Sequence, residues 1–354
     1  MRQSLVMLAA ALLVTPAALA QRPVVPPIRG HAFPTTDPAI RRIYAIGMDS
    51  SQTYHLAQVL TDSIGPRLVG SPAYRSAADW LIATYRAWGV PTREERYGTW
   101  LGWRRGRSHI DLVAPRIRSL EGTQLAFSPG TGGRIVRGDL VLLPDLPDSA
   151  AFRAWLPQVR GRHVAVSFPE PTCRPDSAWQ AFALLGTWDR LRTNREAARR
   201  AWTQRVARTG ANARTLPGML ENAGAAGVVT SQWTGGYGVT RIFNAYTQRV
   251  PTVELSCEDY GLVARLAEHG QHPQIEVSAE AEFMGHQPAF NVLAEVRGTE
   301  LPDEYVMLSS HLDSWDGGSG AGDDATGTVI MMEAMRILKQ VYPNPRRTIL
   351  AAHW

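Results

Sequence analysis

The sequence predicts an α/β fold interrupted by a β-rich region that carries a helical insertion of its own. Three observations carry this expectation. The last stretch alternates strand and helix: apolar runs at residues 292–296 and 305–310, a helical pattern over 324–342, and a further strand at 348–352. Two helical patterns with one apolar face occur near the start, before and after a Gly- and Pro-rich loop. Between them, from about residue 130, short apolar runs bounded by Gly, Pro or Asp suit short strands.

Residues 1–20 read as a secretory signal peptide. Arg2 supplies the positive start, residues 5–13 a short apolar core, and Ala18-Leu19-Ala20 a small-x-small cleavage signature. The apolar core is too short to span a bilayer, and no other stretch of the chain is apolar for long enough. The expected location is periplasmic or secreted, with no membrane span after cleavage. A Pro-rich lead, residues 21–38, reads as an extended arm. Ile40, Ile43, Tyr44, Tyr54, Leu56, Val59 and Leu60 then recur at helical spacing. The loop Gly65-Pro66-Arg67-Leu68-Val69-Gly70-Ser71-Pro72 breaks that pattern. A second helix follows, with Ala77, Ala78, Leu81, Tyr85 and Trp88 on one face and Gly89 closing it. Residues 90–101 read as a strand.

In the middle region, strands are expected at residues 140–143, 164–168, 227–230 and 251–255, with a short helix over 219–226. Ser256 with Asp259 reads as a capping box for a helix over 260–269. Residues 179–209, rich in Arg, Ala and Trp, read as a helical insertion whose tryptophans pack rather than bind a ligand. Cys173 and Cys257 have no metal-type spacing, and an exported chain can hold a disulfide, so their pairing stays open. The net charge of +5 is almost wholly arginine, with Lys339 the only lysine. The basic residues are scattered, which argues for a solvated surface and against nucleic acid. Hydrophobic content of 44% and charged content of 19% suit a globular protein long enough for two domains.

The chemistry is concentrated in one stretch, Ser310-His311-Leu312-Asp313-Ser314-Trp315-Asp316-Gly317-Gly318-Ser319-Gly320-Ala321-Gly322-Asp323-Asp324-Ala325-Thr326-Gly327. His311 stands at the C-terminal end of a strand, the edge where open α/β sheets bind ligands. An imidazole there can ligate a metal through one ring nitrogen, while Asp313 holds the other. The glycines let the chain turn, and Asp323 and Asp324 arrive at the start of the next helix, where negative charge is favoured. A lone strand-end His is more often a satisfied group than a ligand, and an Asp pair before a helix is more often a cap. The order strand, HxD, Gly-rich loop, Asp-Asp, helix is what points to metal.

This segment resembles the metal-binding stretch of the dizinc aminopeptidase and plasma glutamate carboxypeptidase (carboxypeptidase Q) family, with HLDSWD and GAxDD at the same spacing. Residues 60–71 resemble that family's first helix and loop, residues 130–284 its inserted protease-associated domain, and residues 292–299 the strand before its metal site. The resemblance implies a zinc-exopeptidase-type mixed sheet flanked by helices, incomplete here, with an inserted β-rich protease-associated domain. It divides the chain into residues 39–129 and 286–354 of a peptidase domain, with 130–285 between them. It implies that His311 and Asp323 are zinc ligands, Asp323 bridging two ions, and that Asp313 orients His311 in a catalytic role. In the family the peptide bond after the bridging Asp is often strained.

The implied activity is hydrolysis of short peptides or peptide ends by water activated between two metals, with a Glu as base. The strand at 348–352 precedes a Glu-Glu pair in the family, and a later Asp and His complete the site. None of the four has a counterpart before Trp354, so the expectation is a truncated chain, inactive alone. His353 matches no ligand. A deacylase or other dinuclear hydrolase, a single-zinc cyclotransferase and a non-catalytic binding ectodomain share the architecture. Amino-end, carboxyl-end or dipeptide specificity is not legible, and homodimerisation stays open.

Overall fold

The structure, a computed structural model, describes residues 33–239 and 241–354. The signal peptide and most of the lead expected before residue 33 lie outside the described residues.

The first helix, α1 (Pro38–Asp49), starts where Asp37 accepts the amides of Ala39 and Ile40 and Pro38 takes the first turn. The second, α2 (Thr53–Gln58), runs into a π-helical turn, Val59–Ile64, so the single helical pattern read from the sequence is three pieces. Helix α3 (Pro72–Ala87) is capped by Ser71 and buries Tyr74, Ala77, Ala78, Leu81 and Tyr85. Gly89, at φ 71°, lets the chain leave it, as only a residue without Cβ does readily.

Strand β1 (Thr92–Ala114) runs well past the end expected near residue 101. Next come β2 (Arg118–Ser119), β3 (Gly122–Gln124), β4 (Val136–Leu142), α4 (Ser149–Trp155) and β5 (His163–Ala165). The insertion forms α5 (Asp176–Phe182) and α6 (Thr187–Arg208). Helix α7 (Leu216–Asn222), β6 (Gly227–Thr230), β7 (Thr252–Leu255) and α8 (Cys257–Glu268) follow. Strand β8 (Gln274–Val296) then returns alongside β1. The chain finishes with β9 (Leu301–Ser310), α9 (Thr326–Val341) and β10 (Arg347–His353).

β1 and β8 form one long antiparallel ribbon joining two cores. At one end β10 lies between β8, to which it is antiparallel, and β9, to which it is parallel. Helices α3 and α9 cover this mixed sheet, burying Leu60, Tyr74, Leu81, Tyr85, Phe290, Val292, Met332, Met335 and Ile349. Residues 292–296 pair with β1 and β10. At the other end β4, β5, β6 and β7 pair in parallel, β3 closes antiparallel on β7, and β4 pairs with β8.

Ile110, Leu112 and Leu120 pack with Val229, Val253, Tyr260 and Val277 in the second core. The boundary expected at residue 130 therefore falls inside this unit. The reason is that β1 is continuous: its first half belongs to one core and its second half to the other. The other boundary, near residue 285, lies within β8 for the same reason.

The capping box expected at α8 is half formed. Ser256 accepts the Asp259 amide at 3.3 Å, but the Asp259 carboxylate turns to Arg118 and to the Glu121 amide. Of the insertion's tryptophans, Trp202 is a core residue, beside Phe152 and Leu220, whereas Trp179 and Trp188 are half-buried under arginines. Cys173 and Cys257 form a disulfide with Cα atoms 5.7 Å apart, which ties the start of the insertion to α8.

Candidate metal centre

β9 ends at Ser310, and the chain turns out of the sheet with His311 half-exposed at its C-terminal edge. His311 Nδ1 lies 2.9 Å from Asp313 Oδ1, so the carboxylate fixes the ring and leaves Nε2 facing outward. Nε2 in turn lies 2.9 Å from Asp323 Oδ1. The two atoms expected to hold a cation thus face one another, with Asp313 behind the imidazole. Burial works against the charged imidazole. The hydrogen bond and charge of Asp313, with the charges of Asp324 and Asp323, outweigh it and hold the His311 pKa above its ordinary value.

The helix expected from Asp324 begins two residues later, at Thr326. Residues Ala321–Ala325 form a π-type turn in which Asp323 and Asp324 have non-helical torsions, and the peptide bond between them is cis. The two carboxylates diverge. Asp323 points to His311, while Asp324 accepts the Gly327 amide at 3.0 Å and caps the helix. The pair that reads as one feature in sequence is one candidate ligand and one cap.

The loop is held from beneath by Arg67, which is fully buried. Its guanidinium donates to the carbonyls of Leu312 at 2.8 Å, Gly65 at 2.7 Å, Ser319 at 3.0 Å and Gly320 at 3.2 Å. Its backbone amide donates to Ser314 Oγ, and its carbonyl accepts the Ser314 amide. Both arms of the glycine-rich loop therefore hang on one cation. In sequence Arg67 was only part of a breaker-rich loop; an arginine between Pro66 and the apolar Leu68-Val69 was the one signal of burial.

A second cation, Arg105, is paired with Asp316 and also binds Thr123 Oγ1 and the Gln124 carbonyl. With Trp315 tilted against Phe243, at 5.1 Å between ring centroids, it fastens the loop to the β-rich unit. A cavity of about 740 Å³ opens beside Trp315, walled by Trp100, Leu101 and Phe283 of the ribbon and by Phe127 and Tyr246.

His353 is fully buried, not a ligand, and belongs to a chain of hydroxyls. Tyr85 Oη lies 2.8 Å from its Nε2, Ser310 Oγ 3.1 Å from its Nδ1, and Thr328 Oγ1 3.2 Å from Ser310 Oγ. Thr328 donates to the His311 carbonyl at 3.1 Å. One direction of donation, from Tyr85 through neutral His353 to His311, satisfies every atom. Burial agrees with the neutral form, since it pushes the His353 pKa down to about 3.

Imidazole nitrogen and carboxylate oxygen are ordinary zinc donors, and the Asp–His contact is the usual support of such a ligand, so the residues present fit part of a zinc site. Among the described residues no group of three or more His, Cys, Asp or Glu side chains converges to hold a metal. No helix among them is long and apolar enough to cross a membrane.

Residues 291–354 match the family described as Peptidase family M28. Carboxypeptidase Q of Homo sapiens is 25% identical over 316 residues, 89% of this chain and 60% of that protein. Among solved structures, a peptidase M28 precursor from Shewanella amazonensis SB2B superposes with a TM-score of 0.61 at 22% identity, covering 89% of this chain and 66% of that one. The zinc aminopeptidase BSAP from Bacillus subtilis gives 0.51 at 16% identity, covering 86% and 60%. The chain spans about 60% of the length of the curated relatives it matches.

Proposed function

We propose that this chain is a member of peptidase family M28 and serves the zinc-dependent hydrolysis of short peptides or peptide ends. The observation that carries this is the row Asp313, His311, Asp323 at the end of β9, with the two facing donor atoms 2.9 Å apart. His311 Nε2 and Asp323 would hold zinc, and Asp323 would bridge two ions. Asp313 acts by holding the imidazole at Nδ1. It selects the tautomer that presents Nε2 and raises the ring's basicity. Bound zinc supplies Lewis acidity, polarising a peptide carbonyl and making water a stronger nucleophile. Arg67 keeps the carbonyls of Leu312, Ser319 and Gly320 turned inward. Thr328 fixes the His311 backbone from the buried side.

The unit between the halves of the α/β core we assign as a protease-associated domain. Its support is its parallel β4–β7 sheet and its place between two segments that pack together. Export by the signal at residues 1–20 to the periplasm or medium completes the reading, and the disulfide agrees with an oxidising compartment.

Zinc titration of the 354-residue chain, followed by calorimetry, tests the site. Binding should be weak, because only two of the usual four or so donors are supplied. His311→Ala should abolish it. Asp313→Asn should weaken it by roughly 10–100-fold, as is usual for a residue that supports a ligand from behind. Undiminished zinc binding in His311→Ala would overturn the assignment. Peptidase activity should require both zinc and His311.

A further inference from the structure

The β-rich unit presents a short extended segment, residues 243–246, whose hydrogen bonding is used on one edge only. Ala126 N donates to the Phe243 carbonyl at 3.0 Å, and Ala245 N donates to the Ala126 carbonyl at 2.7 Å. In an extended chain the intervening residue turns its own N–H and C=O the other way. That residue is Asn244. Among the described residues its amide, its carbonyl and its side-chain amide have no protein partner. An unused strand edge of this kind is a template for another extended chain.

Two cavities flank this edge and share Asn244, Ala245 and Tyr246 in their walls. The first is the 740 Å³ cavity beside Trp315, two residues beyond Asp313. The second, about 530 Å³, lies between α6 and the sheet, with Leu125, Val166, Trp202, Val206 and Leu216 in its wall. Among the described residues no charged side chain lines the second cavity. Both volumes fall in the range of about 300–1,000 Å³ common to ligand pockets. Helix α6 supplies one wall, so the helical insertion has a use: without it this cavity would be open surface.

We propose that residues 243–246 are a docking strand for an extended peptide, with apolar side chains of that peptide entering the two cavities. The first cavity is walled in part by Trp315 of the metal loop, so a peptide lying along this edge runs beside that loop. This rests on the reading of the chain as a peptidase and deepens it: the preferred substrates are peptides of several residues rather than dipeptides, with an apolar side chain for the second cavity, the first carrying Arg214 in its wall. Backbone pairing to Asn244 gives affinity without sequence preference, and the uncharged second cavity selects apolar over acidic or basic residues.

The test uses the zinc-free 354-residue chain, so binding is read apart from hydrolysis. The probe is a fluorescein-labelled, amide-capped Leu-Thr-Leu-Thr-Leu-Thr peptide, followed by anisotropy. Saturable binding is expected. Methylation of alternate peptide nitrogens should weaken it at least tenfold in one of the two registers. Ala207→Trp, which fills the second cavity from α6, should weaken it by a similar factor while circular dichroism stays unchanged. A hundredfold excess of acetyl-leucine amide should not compete. No binding of the hexapeptide to the wild-type chain would overturn the proposal. So would equal binding by the methylated peptides and by Ala207→Trp, and so would full competition by acetyl-leucine amide, which would leave an apolar hole and no strand. If the peptide binds as expected but no peptide is cleaved in the presence of zinc, the peptidase reading fails and the docking strand stands.

Discussion

Arg67 carries more of the candidate site than any ligand does. Its guanidinium satisfies carbonyls from both arms of the metal loop in a place with no solvent. Removing it leaves several buried acceptors without donors, and hydrogen bonds to a charged group are each worth about 1.5–3 kcal/mol. Arg67→Met should therefore cost about 3 kcal/mol or more, measured by urea unfolding. Arg67→Lys should recover little, because an ammonium is a point charge and lacks the planar fork that reaches both arms at once. A cost below about 1 kcal/mol would show that the loop holds itself. Aspartates 323 and 324 make the complementary point: adjacent and chemically identical, they are separated in role by backbone torsions alone.

At the scale of elements, the ribbon β1–β8 and the disulfide divide the work of joining the two units. The ribbon is continuous hydrogen bonding between two 23-residue strands, eased by bulges at Arg96/Gly98, Gly102/Trp103 and Arg105/Ser108. The disulfide acts within the β-rich unit, closing a separation of 84 residues between the lead into α5 and the start of α8. Loop closure of that length limits the unfolded chain, so Cys173→Ser should lower stability by about 2–4 kcal/mol. Denaturation of the variant beside the reduced and oxidised wild type measures this. Equal stability of oxidised and reduced protein would show that the insertion is held by packing of Trp202 and its neighbours instead.

For the whole molecule, three buried titrating groups set a pH dependence. Burial pushes His163 down to about 4 and His353 down to about 3, from an ordinary value of 6.5. Below pH 6.5 the unfolded chain takes up protons that the folded chain refuses, so stability falls as pH drops. Glu254 works the other way. Burial pushes its carboxyl up to about 7, against hydrogen bonds from Thr230 and the Gln232 amide. It therefore keeps a proton that the unfolded chain releases above an ordinary value of 4.5, and its contribution is lost as pH rises. Between pH 4.5 and 6.5 two protons oppose one, so these groups together should make stability rise by about 1.4 kcal/mol per pH unit. Glu254→Gln should steepen that slope to about 2.7 kcal/mol per unit. Chemical denaturation at three pH values in this window measures both slopes, and an unchanged slope in the variant would mean that Glu254 is ionised in the folded protein.

The amino-acid sequence by itself determined the α/β class, most of the strands and helices, and the stretch from His311 to Asp323. Those signals are local: apolar periodicity, Ser71 and Pro72 opening α3, Gly89 closing it, and an HxD step at a strand end followed by glycines. The carboxypeptidase Q-like resemblance was legible for the same reason, since a metal loop is written in consecutive residues. What only the tertiary structure decided involves partners far apart in the chain. Arg67 meets Ser319 across 252 residues, Arg105 meets Asp316 across 211, and Tyr85 meets His353 across 268. The unit boundary moved into β1 because a strand's two halves can join different cores without any change in local pattern. The roles of Asp323 and Asp324 were settled by torsions that the surrounding packing imposes, and a pair of identical side chains carries no sequence record of which way each one turns.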